Sequence, residues 1–209
     1  YDGWVERGAA GWGWDDVLPF FCKMETDVDK DGPMHGKDGP MAIHRVAEER
    51  WPKFTKGFIA AAASEGWRDL GDNNSVFEDG FFPIATANRD GKRTSTATAY
   101  LTAEVRARPN FRVLGESVAE RLLFDGTRCT GVRILRRGET IDIRAREVVV
   151  SGGAFHSPAI LLRSGIGPAA ELAERGIEVV ADRAGVGKNL MEHPGVNFGC
   201  YMKRDSRLL

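Results

Sequence analysis

Residues 147–168 constrain what this chain can fold into more than any other stretch. Glu147-Val148-Val149-Val150-Ser151 is a β-branched run that suits a strand covered on both faces, as in a parallel sheet. Gly152-Gly153-Ala154 follows, removing side chains where the backbone turns and can approach another backbone or a ligand closely. Ser157 is placed to cap a helix, with Pro158 at its first position, where a missing N–H costs nothing. Gly165 and Gly167 end that helix, and Pro168 prevents it from resuming. A helix N-terminus beyond the carboxyl end of a parallel strand is where α/β sheets hold phosphates and nucleotides. Most strand–turn–helix units only pack, so this pattern alone predicts an element and not a ligand.

Charge narrows the partners. The chain has 209 residues with 29 basic and 30 acidic side chains, so nothing points to nucleic acid or to an anionic membrane surface. No apolar run approaches the roughly 20 residues of a membrane span. Cys22, Cys129 and Cys200 are widely spaced and match no metal or CxxC pattern. They are expected as thiols in a reducing compartment, which makes the cytoplasm the expected location, and no metal site is expected. The chain begins at Tyr1, in what reads as the middle of an element, and stops as abruptly at Leu209, so it is read as an internal fragment.

A Gly/Trp-rich loop with Trp4, Trp12 and Trp14 opens the chain, and the aromatic cluster is expected to pack beneath that loop. Asp15 or Asp16 then caps a helix to about Glu25, with Val17, Phe20, Phe21 and Met24 at helical spacing. Residues 26–40 hold alternating Asp27, Asp29 and Asp31 without the glycine and distal glutamate of a calcium loop, and are read as a solvated loop. His35 and His44 have no evident partner. Residues 52–64 form an amphipathic helix with Gly66 past its end; 81–85 read as a strand and 96–105 as a second helix. Strands at 111–114, 117–124, 131–136 and 140–144, joined by tight turns, make a meander. A helix over 169–175, a strand over 177–181 and a turn at Gly185-Val186-Gly187 complete the described pattern.

Several of these segments together resemble one family. Gly153-Ala154, Ser157-Pro158 and Ser164-Gly165-Ile166-Gly167 resemble the second signature of the glucose–methanol–choline oxidoreductases, FAD enzymes that oxidise alcohols. The likeness extends to Gly11-Trp12-Gly13-Trp14-Asp15-Asp16 and to His35-Gly36 with Gly39-Pro40. It continues through Gly91-Lys92-Arg93-Thr94-Ser95, Arg108-Pro109-Asn110, and Gly185-Val186-Gly187-Lys188-Asn189-Leu190 with His193. Glu192 stands where many members carry Asp. The motifs are specific for the family and silent about the substrate.

The resemblance implies a mixed α/β fold: part of a Rossmann-like FAD-binding domain with a β-meander, plus part of a substrate (cap) domain. It assigns 1–34 to a linker and helix on the FAD domain and 35–106 to the substrate domain. Residues 107–191 return to the FAD-binding domain, and 192–209 begin the next substrate segment. In the family, a valine on the second meander strand touches the FAD adenine through its backbone, and Val118 matches it. The Gly152-Gly153-Ala154 turn is similar to the one that lies against the cofactor. His156 and His193 are expected in structural roles. The pyrophosphate fingerprint, Gly-x-Gly-x-x-Gly between strand and helix, is absent here and expected upstream; the catalytic base is expected downstream of Leu209. The partners implied are a small alcohol and oxygen or another electron acceptor. A fragment of this kind is expected to be inactive alone. The alternative from another class, a non-catalytic binding module, rests on the tryptophan cluster.

Overall fold

The computed structural model describes residues 1–192, 195 and 201–204. The chain divides into two units, one built on Tyr1–Arg112 and one on Val113–Asn197. Helices and strands alternate irregularly in both, a mixed α/β arrangement.

The first unit begins with a single turn, α1 (Asp2–Val5), and the helix α2 (Trp14–Met24). Asp2 Oδ1 accepts the Trp14 N–H at 2.8 Å and Asp16 Oδ2 the Gly13 N–H at 3.0 Å, so carboxylates close the N-terminus of α2. Strand β1 (Glu25–Asp27) continues directly from α2 and pairs in parallel with β2 (Met41–His44). After a 3-10 turn at Glu48–Arg50, α3 (Lys53–Ser64) runs as the periodicity predicts. Strand β3 (Thr86–Arg89) pairs antiparallel with β2 and forms a hairpin with β4 (Lys92–Arg93). Its two-residue turn, Asp90-Gly91, takes positive φ at both positions, 53° at Asp90 and 75° at Gly91.

Two expectations in this unit fail. Residues 81–85 form no strand, only an isolated bridge between Asp69 and Phe81. The helix expected over 96–105 splits into the single turns α4 (Thr96–Ala99) and α5 (Ala103–Arg106). Ser95 Oγ accepts the Thr98 N–H and Thr102 Oγ1 the Val105 N–H, each at 3.3 Å. Hydroxyls that bond nearby backbone start helices rather than continue them, and here they start two.

The 26–40 segment is a larger correction. It is held by buried charge rather than solvated. Asp27 is 1% exposed, Arg45 4%, Asp72 4% and His35 8%. Arg45 Nη1 reaches Asp27 Oδ2 at 2.8 Å, and its Nη2 reaches Asp72 Oδ1 at 2.5 Å. His35 presents Nε2 to Asp72 at 3.0 Å and Nδ1 to Asp27 at 3.2 Å and Glu25 at 3.3 Å. Even His44 has a partner, Asp29 at 3.0 Å. The two glycines of His35-Gly36-Lys37-Asp38-Gly39-Pro40 let this loop lie on the α2–β1 junction. A Cβ on Gly36 would collide with the Cys22 carbonyl, and one on Gly39 with the backbone at Met24 and Glu25.

The second unit is built on a meander. Strands β5 (Ser117–Asp125), β6 (Arg128–Arg136) and β7 (Glu139–Arg144) pair antiparallel in that order, with Val118 opposite Leu135 and Ile134 opposite Ile141. A bulge interrupts β5 between Ala119 and Arg121. Then come α6 (Gly153–Arg163), β8 (Ile166–Gly167), α7 (Ala169–Glu174) and β9 (Ala181–Asp182), with β8 and β9 in parallel. Leu122, Ile134, Ile160 and Leu172 form the buried apolar core of this unit among the described residues.

Here too the sequence misleads in places. Residues 111–114 are not a strand, and the 177–181 strand shrinks to β9. The triple valine is not a buried strand: 147–150 pair with no strand, and Val149 is 79% exposed. The β5 backbone at Ala119, Glu120 and Leu122 is bonded to side chains of Arg163 and Ser164, so those positions are not open to a further strand. Helix α6 starts at Gly153, so Ser157 and Pro158 lie in its second turn; Ser157 Oγ accepts the Gly152 N–H at 2.8 Å from inside the helix. Its end is as expected, with Gly165 at φ 85°, where a Cβ would collide with the Glu178 carbonyl.

Two outcomes follow from the buried charges. Arg45→Met leaves Asp27 and Asp72 buried without their cation and is expected to cost about 3–5 kcal/mol in chemical unfolding. Burial pushes the Asp27 and Asp72 carboxyls up, but hydrogen bonds outweigh it and hold both below 3.8. For Asp27 these bonds come from Arg45 and the Asp29 and Lys30 N–H groups; for Asp72, from Ser75, Arg45 and the Asn74 N–H. A depressed folded value means stability that is fully present above the unfolded value and lost as pH falls through the folded one. The urea midpoint is therefore expected to hold from pH 7 to about 5 and fall below about pH 4, less steeply in Asp72→Asn.

Candidate functional site

Strand β5 presents Val118 as an exposed side chain, 64% accessible, ahead of the bulge. The 148–152 segment and the face of α6 that carries His156, Ile160 and Arg163 close on the same side of the sheet. Between them lies an open, mainly apolar groove of about 530 Å³, within the range of about 300–1,000 Å³ typical of small-molecule sites. Val118 and Gly152, two of the four residues singled out from the sequence, line this groove; Gly153 and Ala154 begin α6 and are not part of its lining. His156 does line it, from the first turn of α6, and is an exposed residue. His193, expected to fix a turn, and Cys200 lie outside the described residues.

Two side chains hold the groove's wall in place. Arg163 Nε donates to the Glu120 carbonyl at 2.8 Å and Nη2 to the Ala119 carbonyl at 3.3 Å. Ser164, 1% exposed, accepts the Leu122 N–H at 2.8 Å and donates to the Ile160 carbonyl at 2.5 Å. Sequence reasoning treated both residues as parts of a helix end. Their partners lie on β5, 42 to 44 residues earlier in the chain.

Grooves of similar size in the first unit have other characters. One, of about 520 Å³, is walled by Tyr1, Trp4, Trp12 and Phe21. Its rings meet mainly edge to face, Tyr1–Trp4 at 79° and Trp4–Trp12 at 64°, so they pack on one another as much as they offer flat faces. They are less covered than expected: Trp4 and Trp12 are 51% and 55% exposed.

Glu25, Asp27 and His35 bring one ligand atom each within 4.8 Å, a spacing compatible with a metal ion. Their atoms are already engaged. Glu25 Oε1 accepts the Gly36 N–H at 3.0 Å, Asp27 takes Arg45 together with the Asp29 and Lys30 N–H groups, and His35 faces Asp72. A cation would have to displace these donors with a guanidinium beside it. The cluster reads as an internal ion network.

Comparison with known proteins bears on both units. The 5-(hydroxymethyl)furfural oxidase of Methylovorus sp. (strain MP688) is 48% identical over 208 residues, which are 99% of this chain and 39% of that protein. The oxygen-dependent choline dehydrogenase of Brucella anthropi is 40% identical over 194 residues, 92% of this chain and 35% of that one. Among solved structures, pyridoxine 4-oxidase from Mesorbium loti superposes with a TM-score of 0.78 at 36% identity, over 87% of this chain and 36% of that chain. The chain thus spans less than two fifths of the length of these curated relatives. The family model for GMC oxidoreductases matches residues 1–195, and with identities of this size over nearly the whole chain, the chain belongs to the GMC oxidoreductase family.

Proposed function

We propose that this chain contributes the adenosine-holding part of an FAD-dependent oxidoreductase that oxidises the CH–OH group of a small alcohol. The observation that carries the reading is the convergence of Val118 and Gly152 on one groove of the second unit. The groove's chemistry fits a purine. Half of its lining residues are valine or isoleucine, which favour a flat aromatic ring over water, and a strand backbone at the rim can pair with an adenine edge whatever the side chain.

In this reading Val118 and the 148–152 segment hold the adenine between them, and Gly152 keeps that wall free of a side chain. The flavin, when bound, accepts the hydride that leaves the alcohol carbon. The residues of this chain bind and orient; none of the described residues is assigned as the base that takes the hydroxyl proton. Oxygen or another acceptor would reoxidise the flavin, and we place the protein in the cytoplasm. Among the described residues no helix is long and apolar enough to cross a membrane.

The test is a titration of flavin-stripped protein, expressed from its complete reading frame, with FAD. Val118→Trp fills the groove at an exposed strand position where an aromatic residue is well tolerated, so the sheet should survive. It is expected to weaken FAD binding by about tenfold or more, about 1.4 kcal/mol per decade. FAD affinity unchanged by this substitution, or a parent protein that takes up no flavin, would remove the reading.

A further inference from the structure

We propose that Arg163 and Ser164 are positioning residues of the nucleotide groove: they clamp the bulged part of β5 to α6 and so set the distance between the Val118 wall and the Gly152 wall. The inference rests on the adenosine reading of the groove and adds to it the residues that tune its fit.

A bulge in an antiparallel strand puts an extra residue against its partner and leaves the local ladder incomplete. In β5 the register shifts between Ala119 and Arg121, one residue past Val118. The carbonyls of Ala119, the last residue in register before the irregularity, and of Glu120, the unpaired residue within it, are the two that Arg163 takes, at 3.3 and 2.8 Å. A guanidinium suits this pair because its fork fixes the separation of two acceptors at once. Beyond the bulge Ser164 takes the Leu122 N–H at 2.8 Å, and Leu122 is itself buried. The strand is thereby fastened on both sides of its irregular point, by adjacent residues at one helix end.

The opposite wall depends on the same helix. Gly152 precedes the first turn of α6 and gives its N–H to Ser157 Oγ at 2.8 Å, which fastens the Gly152 end of that wall to the helix. Without the Arg163 fork, β5 could slide along α6 at the bulge, and the slot between Val118 and Gly152 would change width. A planar ring is sensitive to that width because dispersion contact falls steeply with a gap of an ångström or less. Chemistry at the flavin ring would be untouched once the cofactor is bound.

The experiment compares parent, Arg163→Ala, Arg163→Lys and Val118→Trp, each expressed from the complete reading frame, stripped of flavin and titrated with FAD, with kcat measured at saturating FAD. Arg163→Ala is expected to raise the FAD Kd about tenfold, and Arg163→Lys, which keeps one cationic donor, to recover part of that loss. In both, the loss should fall mainly on the FAD Kd, with kcat at saturating FAD reduced by a smaller factor than the affinity. Unchanged affinity in Arg163→Ala with lost affinity in Val118→Trp would overturn the clamp and leave the groove's assignment standing. A kcat deficit that saturating FAD does not repair, equal in the Ala and Lys variants, would also overturn it, since it marks general damage to the fold. Parent-like FAD binding in both Arg163→Ala and Val118→Trp would instead sink the adenosine reading itself.

Discussion

A single buried hydroxyl ties the second unit together. Ser164 receives the N–H of Leu122 and gives its own proton to the carbonyl of Ile160, so one side chain joins a strand to a helix and lies between two core residues. An N–H left unpaired at that depth would cost roughly 1–3 kcal/mol, which makes the arrangement hard to replace by apolar packing alone. With the strand held there, the neighbouring bulge becomes a feature with a fixed direction. Arg163 takes up the carbonyls beside it, and the groove between the sheet and α6 follows. The triple valine, denied a place on the β5 edge, becomes a wall of that groove.

The first unit solves a different problem with different means. Its mixed sheet is short, and the loop between β1 and β2 has too few apolar residues to hold itself down. Arg45, flanked by Asp27 and Asp72, does so through charge, and His35 joins the two carboxylates from the other side. Such networks add little net stability over a well-packed apolar core, but each member strongly penalises the loss of another. They therefore specify one arrangement of the loop. Gly36 and Gly39 are the steric counterpart, because the backbone they carry lies too close to α2 and β1 for any side chain.

Family membership and these local findings meet at one point. The relatives include oxidases and a dehydrogenase named for different small molecules, and the match extends over nearly the whole chain. The groove has mainly apolar walls and a strand rim, and none of the described residues lining it is assigned as a base. Under the proposed function it would hold the adenosine of the cofactor.

Much of this was legible in the residues. The helices α2, α3 and α7, the meander and the glycine-terminated end of α6 all rest on local periodicity and turn chemistry, which act within a few residues of one another. The pairing of Val118 with the glycine turn was drawn from likeness to a family, and the geometry brings Val118 together with Gly152 but leaves Gly153 and Ala154 off the groove. Much of what failed was decided at long range. Asp27 and Asp72 were polar letters in turn-rich segments until Arg45, 18 and 27 residues away, drew them inside. Val148, Val149 and Val150 had strand propensity but pair with no strand among the described residues. By itself the sequence determined the local elements and the family, because propensity, capping and glycine sterics are properties of neighbours. Only the tertiary structure decided which polar groups are buried and which strand edge is free, because a charge or an amide finds its energy in a partner that chain order does not reveal.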